Sequence, residues 1–164
     1  MNIATRTLGA LSFVLCLATA TFADPPAPTV ALSGAVTTPS TLSLADLKAM
    51  PAIDVTISFV TGHGSESGTY RGALLWTVLD KSGLADGPAK GARLRHTILV
   101  SGNDGYQVAL SEGELDPNFE GKQVILAYAE NGKDLDPADG IRLIVPGDHH
   151  GGRAVKGVVR IEVN

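Results

Sequence analysis

The stretch Ile53–Gly64, IDVTISFVTGHG, decides how the rest of the chain is read. Its first eight residues alternate, with Val55, Ile57 and Phe59 on one face and Thr56 and Ser58 on the other. That is the pattern of a strand with one buried side. The strand then runs into a turn in which Gly62 and Gly64 flank His63, and glycine lets a backbone approach a ligand closely. A small site can be built at such a turn, and the elements around it define the domain that carries it.

Working outward toward the N-terminus, SLADLKAM (Ser43–Met50) reads as a short helix with Ser43 as its N-cap, Asp46 in its first turn and Pro51 as its stop. VALSGAV (Val30–Val36) is a first strand. On the other side, a glycine-rich loop leads to ALLWTVLDKSG (Ala73–Gly83), a helix with Leu75, Val78 and Leu79 inward and Gly83 at its C-terminus. RLRHTILVSG and YQVAL are strands joined across Asn103–Gly105, NDG, a hairpin signal. Ser111 and Glu114 stand at capping-box spacing. QVILAYA, GIRLIVPG and AVKGVVRIEV complete the set of strands, with a turn at ENGKDL and a polar loop at DHHGG (Asp148–Gly152). Strands outnumber helices and the helices are short, so the expected class is α+β, a strand-rich mixed sheet with short helices.

Residues 1–23 have the layout of a secretory signal: Arg6, then the apolar run Leu8–Ala20, then small residues up to Ala23. The run is too short to span a bilayer. A Pro-rich lead follows over 24–29, and residues 30–164 form one domain. The single cysteine, Cys16, lies inside the leader, which leaves residues 24–164 without a disulfide or a thiolate ligand. Of the 13 basic residues only Arg6 falls in the leader, so 12 face 17 acidic ones. That balance argues against nucleic acid and anionic membrane as partners. The expected location is the periplasm, reached by a cleavable Sec-type signal.

The order of LSLADLKAMP, VTISFVTGHG, YRGALLWTVLDKSGL, VSGNDGYQVALSEGEL, VILAYAENGKDLDPADG, IRLIVPGD and GGRAVKGVVRIEV resembles the molybdopterin-binding domain of the sulfite oxidase family in its short stand-alone form. The resemblance spans about Val30 to Val163. It implies a fold that binds a pterin carrying molybdenum, with a cysteine at the end of the strand before the glycine turn as metal ligand. Here Phe59 stands in that place. Phenylalanine has no lone pair to offer, and soft thiolate ligation is what anchors the metal in those enzymes. By the same resemblance GGRAVKG matches a pterin- and phosphate-contacting segment at Gly152, Arg153, Val155 and Lys156, and departs from it at Ala154 and Gly157.

A pterin is flat, with a donor–acceptor edge, and calls for a stacking face and polar partners. The candidate ligand-binding residues are Phe59, Thr61, His63, Trp76, Tyr106, Arg142, Asp148, His149, His150, Arg153, Val155 and Lys156. For Phe59, on the inward face of an alternating strand, and Trp76, in an apolar helix, core packing is the favoured reading. No metal is expected, because zinc wants three or four convergent ligands and adjacent histidines on a loop rarely point the same way. No nucleophile elbow and no phosphate loop is present. The expected function is non-catalytic: periplasmic binding of a pterin, with molybdopterin not expected. Some stand-alone relatives that lack the cysteine act as pterin sensors on the periplasmic domain of a membrane-bound cyclic-di-GMP enzyme, so the resemblance implies such a membrane signalling protein as a candidate partner. The alternatives are a molybdopterin-dependent oxidoreductase or its subunit, and an interaction module with a vestigial pocket.

Overall fold

The computed structural model describes residues 27–164; the signal sequence assigned to 1–23 and the first half of the Pro-rich lead, 24–26, lie outside the described residues. Two five-stranded sheets carry the domain. The first has the order β2-β1-β10-β5-β6, from Ser40–Ser43, Thr29–Gly34, Val158–Val163, Thr97–Gly102 and Gln107–Ser111. The second runs β3-β4-β7-β8, from Ala52–Thr61, Gly64–Leu74, Ile125–Glu130 and Lys133–Asp134, with β9 (Arg142–Ile144) also paired to β7. Among the described strands, β1 and β10 pair in parallel and the other pairs are antiparallel. The mixed, strand-rich α+β class is what the sequence indicates.

The short helices follow their signals. In α1 (Leu44–Lys48), Ser43 and Asp46 close a reciprocal capping box, and Ser111 with Glu114 does the same for α3 (Glu112–Leu115). These caps satisfy amide groups that a four- or five-residue helix cannot satisfy alone. Helix α2 (Leu75–Ser82) buries Leu75, Val78 and Leu79 and ends at Gly83, whose φ of 67° favours glycine.

Three expectations need correction. The segment after His63 is not a loop: Gly64–Leu74 is a strand, paired residue for residue with β3 from Ala52↔Ala73 to Thr61↔Gly64. Its alternation is masked in sequence by Gly68 and Gly72 at inward positions, where the neighbouring chain crowds in. A Cβ at Gly72 would lie 2.3 Å from the Leu126 carbonyl oxygen. Arg71 lies on the outer face of this strand, ion-paired to Asp54 at 2.9 Å. The segment RLR is a 3-10 turn before β5, and Ala154–Gly157 is irregular, so the last strand begins only at Val158.

The apolar faces meet in two clusters. The larger one joins Leu32, Leu79, Ile98, Leu126 and Ile161 and lies between the sheets and α2. The smaller one contains Val55, Ile57, Phe59, Tyr70, Ile125, Ala127 and Ile144, on the inner face of the second sheet. At the Phe59 end this second cluster runs out, and there the fold opens.

Candidate functional site

A cleft of about 430 Å³ lies where the β3–β4 hairpin, the tip of the β5–β6 hairpin, β9 and the loop before β10 converge. Phe59 and Val155, both nearly fully buried, form its apolar floor. Thr61 and His63 come from the β3–β4 turn, Asp104 and Tyr106 from the β5–β6 tip, and Lys156 from the loop before β10. Glu66 and Arg142 complete its wall. Two other hollows, of about 500 and 520 Å³, are larger; one is lined by Lys48, Met50, Arg71, Tyr128 and Asp134 among others, the second by the polar stretch from Glu130 to Asp139. This cleft, unlike those two, sets a buried aromatic ring, Phe59, beside a buried cation, Arg142.

The turn geometry is local. Thr61 Oγ1 donates to the Gly64 carbonyl at 2.9 Å and accepts from the His63 amide at 3.1 Å, which presents His63 to solvent at the cleft rim. Opposite the turn, Tyr106 donates its hydroxyl to the Gly152 carbonyl at 2.6 Å while half its surface stays exposed. That bond straps the β5–β6 tip to the 3-10 turn Gly151–Arg153. The same loop is held to β3 by the Val60 amide, which donates to the His149 carbonyl at 3.0 Å. Gly151 sits so close above Phe59 that a Cβ there would meet the ring at 2.7 Å.

The charged wall is one network. Arg142 is buried; its Nη1 donates to the Tyr70 hydroxyl at 2.8 Å, and its Nη2 lies 2.6 Å from Glu66 Oε1. Tyr70 donates to that same oxygen at 3.0 Å, and the Arg142 guanidinium lies 5.1 Å from the Tyr70 ring centroid. Burial pushes the Glu66 carboxyl up, but the hydrogen bonds from Tyr70 and Arg142, together with the charges of Arg142 and Lys156, outweigh it, and the net direction is down. Burial, with the carboxylates of Glu130 and Glu66, pushes the Tyr70 hydroxyl well up, so it remains a donor. Glu66 was not a sequence candidate. The signal was its register: paired with Phe59 across the hairpin, it shares the inward face with Tyr70, where a charge needs a partner.

Of the twelve sequence candidates, Phe59, Thr61, His63, Tyr106, Arg142, Val155 and Lys156 line the cleft. The other five do not. Trp76 lies on α2 against the larger core, with the Arg93 guanidinium 5.3 Å from its ring centroid; its apolar helix carries it away from the site. His149 and His150 are exposed on the outer side of the loop, whose backbone pairs with Val60. Asp148 and Arg153 take each other: Nε to Oδ2 at 2.9 Å and Nη2 to Oδ1 at 2.6 Å, with a third bond from Nη1 to Glu114 at 3.0 Å. The hydrogen bonds to Asp148 first, then to Glu114, hold the Arg153 guanidinium above its ordinary value. A bidentate pair of this kind leaves little of Arg153 for a ligand.

Fold and cleft define a mixed-sheet domain of the sulfite oxidase-type molybdopterin-binding class. The family model described as oxidoreductase molybdopterin binding domain matches residues 20–164, and the chain belongs to that family. Among solved structures it is similar to the sulfane dehydrogenase SoxCD from Paracoccus pantotrophus, with a TM-score of 0.68 at 20% identity. The match covers 83% of this chain and 38% of that one, so this chain spans well under half the length of the structure it matches. No curated protein matches it.

The donor set does not fit a thiolate-held metal. No cysteine occurs in residues 27–164, and the position that the resemblance gives to the ligating cysteine holds the Phe59 ring, packed under Gly151. Among the described residues no three His, Cys, Asp or Glu side chains form a group that could hold a metal ion. A flat ring with polar edges fits better: the cleft offers an apolar floor, the Tyr106 ring, and donors and acceptors on its wall.

Proposed function

We propose that this chain is a non-catalytic binding protein for a free pterin or a closely related flat heterocycle, acting in the periplasm. The observation that carries the proposal is the composition of the cleft, which keeps aromatic and polar recognition groups but has no thiolate. Two further features support it. Arg153, which the resemblance would assign to a cofactor phosphate, is bound on the protein side by Asp148 and Glu114. The charged residues lining the cleft also balance, with Arg142 and Lys156 against Glu66 and Asp104, which suits a neutral ligand better than a phosphorylated one.

The proposed partner is the periplasmic domain of a membrane-bound cyclic-di-GMP enzyme. A ligand can signal only by binding the partner-competent form more tightly than the other form. The loop Gly147–Gly152 is suited to that role: its inner side closes the cleft through Tyr106 and Gly151, and its outer side presents His149 and His150 to solvent.

The test is mass spectrometry of the small molecules released by denaturing the native protein, with metal analysis of the same sample. A pterin without molybdenum is expected. Membership of an oxidoreductase family favours a second reading, a molybdopterin-dependent enzyme or subunit. Stoichiometric molybdenum would establish that reading and overturn the first.

A further inference from the structure

Glu66 is the one carboxylate set into the wall of the cleft rather than at its rim. Its two oxygens are not equivalent. Oε1 is taken twice, by the Tyr70 hydroxyl at 3.0 Å and by Arg142 Nη2 at 2.6 Å. Oε2 accepts no hydrogen bond from any described residue, and the side chain is 31% exposed. Phe59, its cross-strand neighbour, supplies the apolar surface beside it. The carboxyl is also held in its charged form by the donors on Oε1. A charged acceptor with one oxygen fixed from behind and the other open to the cavity is a preorganised receptor for an N–H donor.

We infer that the free Oε2 of Glu66 selects heterocycles carrying an amino group on the pyrimidinone edge and rejects those with an oxo group at the same position. The inference rests on the binding function proposed above and specifies its ligand class. An amino group donates to Oε2. An oxo group presents a lone pair to it, and a buried acceptor facing an acceptor is costly. Pterin and guanine share the amino-pyrimidinone edge; lumazine is the pteridine in which oxo replaces amino. The exchange turns the C2 substituent from donor to acceptor and ring N1 from acceptor to N–H donor, while N3–H is common to both compounds.

The experiment is calorimetric titration of the folded protein with pterin and with lumazine, repeated on Glu66→Gln. The wild-type protein is expected to bind pterin at least about tenfold more tightly than lumazine, the scale of one charge-assisted hydrogen bond. In the variant, Tyr70 and Arg142 hold the amide oxygen in the place of Oε1, which turns the amide –NH2 toward the ligand. The preference should then reverse, with pterin binding weakened and lumazine binding strengthened. The wild-type comparison stands even if the variant does not fold. Equal wild-type affinities would overturn the selection by Glu66 while leaving heterocycle binding intact. Loss of preference in Asp104→Asn but not in Glu66→Gln would reassign the selection to the cleft rim. Failure to bind either compound would remove the proposed function and this inference together.

Discussion

Replacing Arg142 by methionine tests whether the charged wall of the cleft holds the fold as well as the ligand. The change keeps the length of the aliphatic stem and removes the guanidinium. That deletes the bond to the Tyr70 hydroxyl at 2.8 Å and the ion pair to Glu66 at 2.6 Å. Breaking a buried pair costs about 3–5 kcal/mol when the remaining charge is stranded. Glu66 is not fully stranded, because its side chain is 31% exposed and water can reach Oε2. Arg142 Nε is already buried without a hydrogen-bond partner, so its removal returns part of the loss. The expected destabilisation of Arg142→Met is therefore about 2–3 kcal/mol, below the range for a dry pair.

The assay is urea unfolding of the wild type, Arg142→Met, Glu66→Gln and the double variant. Glu66→Gln alone should cost about 1–1.5 kcal/mol, since the amide oxygen still accepts from both donors. The double variant should be little worse than Arg142→Met, which gives a coupling energy of about 1–2 kcal/mol. Additivity to within about 0.5 kcal/mol would refute the pairing as an energetic unit. The acid limb provides a second check. The folded Glu66 carboxyl lies below its unfolded value. Its stabilisation is therefore present above the unfolded value and is lost as pH falls through the folded one. The curves of wild type and Arg142→Met should converge at low pH, where Glu66 is protonated in both.

Three other substitutions separate structure from ligand. Arg153→Ala should lower stability by about 1–2 kcal/mol, because it frees Asp148 and Glu114 from a partly exposed network, and should change pterin affinity by less than about threefold; a large affinity loss would put its guanidinium back in the cleft. Gly151→Ala would set a Cβ 2.7 Å from Phe59 Cε2, an overpacking worth about 1–3 kcal/mol, and should weaken ligand binding by displacing the ring; unchanged binding would show that the floor is not used. Burial, helped by Asp116, raises the Glu112 carboxyl against the pull of Arg93, and its Oε2 has no partner. The raised folded value means that stability falls as pH rises from the unfolded value through the folded one, and Glu112→Gln should flatten that window in unfolding experiments across pH.

How far the sequence could be read depends on where each signal lies. The caps of α1 and α3 are local, fixed by Ser43 with Asp46 and by Ser111 with Glu114, and three-residue spacing exposes them. The face of β3 is equally local, because period-2 alternation alone puts Val55, Ile57 and Phe59 together. Strand β4 was hidden because Gly64, Gly68 and Gly72 carry no side chain to show the alternation, and glycine in such numbers suggests a loop. What shapes it is long-range: the close approach of β7 at Gly72 and of Glu130 at Gly68. The same blind spot concealed Glu66, whose inward position is visible only once β4 is paired with β3. The pairing of Arg153 with Asp148 and Glu114 was not legible, because nothing in their spacing tells whether a guanidinium turns toward a cavity or toward Glu114, 39 positions earlier.

The two departures from a metal-binding site lie on different elements and have different physical causes. At Phe59 the change is one of donor chemistry: a ring with no lone pair fills the floor, and Gly151 packs against it. At Arg153 the residue type matches the resemblance, and the change lies in its surroundings, where Asp148 and Glu114 satisfy the guanidinium from the protein side. A free cation beside a phosphate would draw on the full strength of charge-assisted hydrogen bonding; a cation already held by two carboxylates must break those bonds first. What remains unspent in the cleft is the open oxygen of Glu66, backed by Arg142 and Tyr70. A charge relayed through a fixed pair suits the recognition of a ring edge more than the grip of an anion. These are the features on which the proposed binding of a free heterocycle rests.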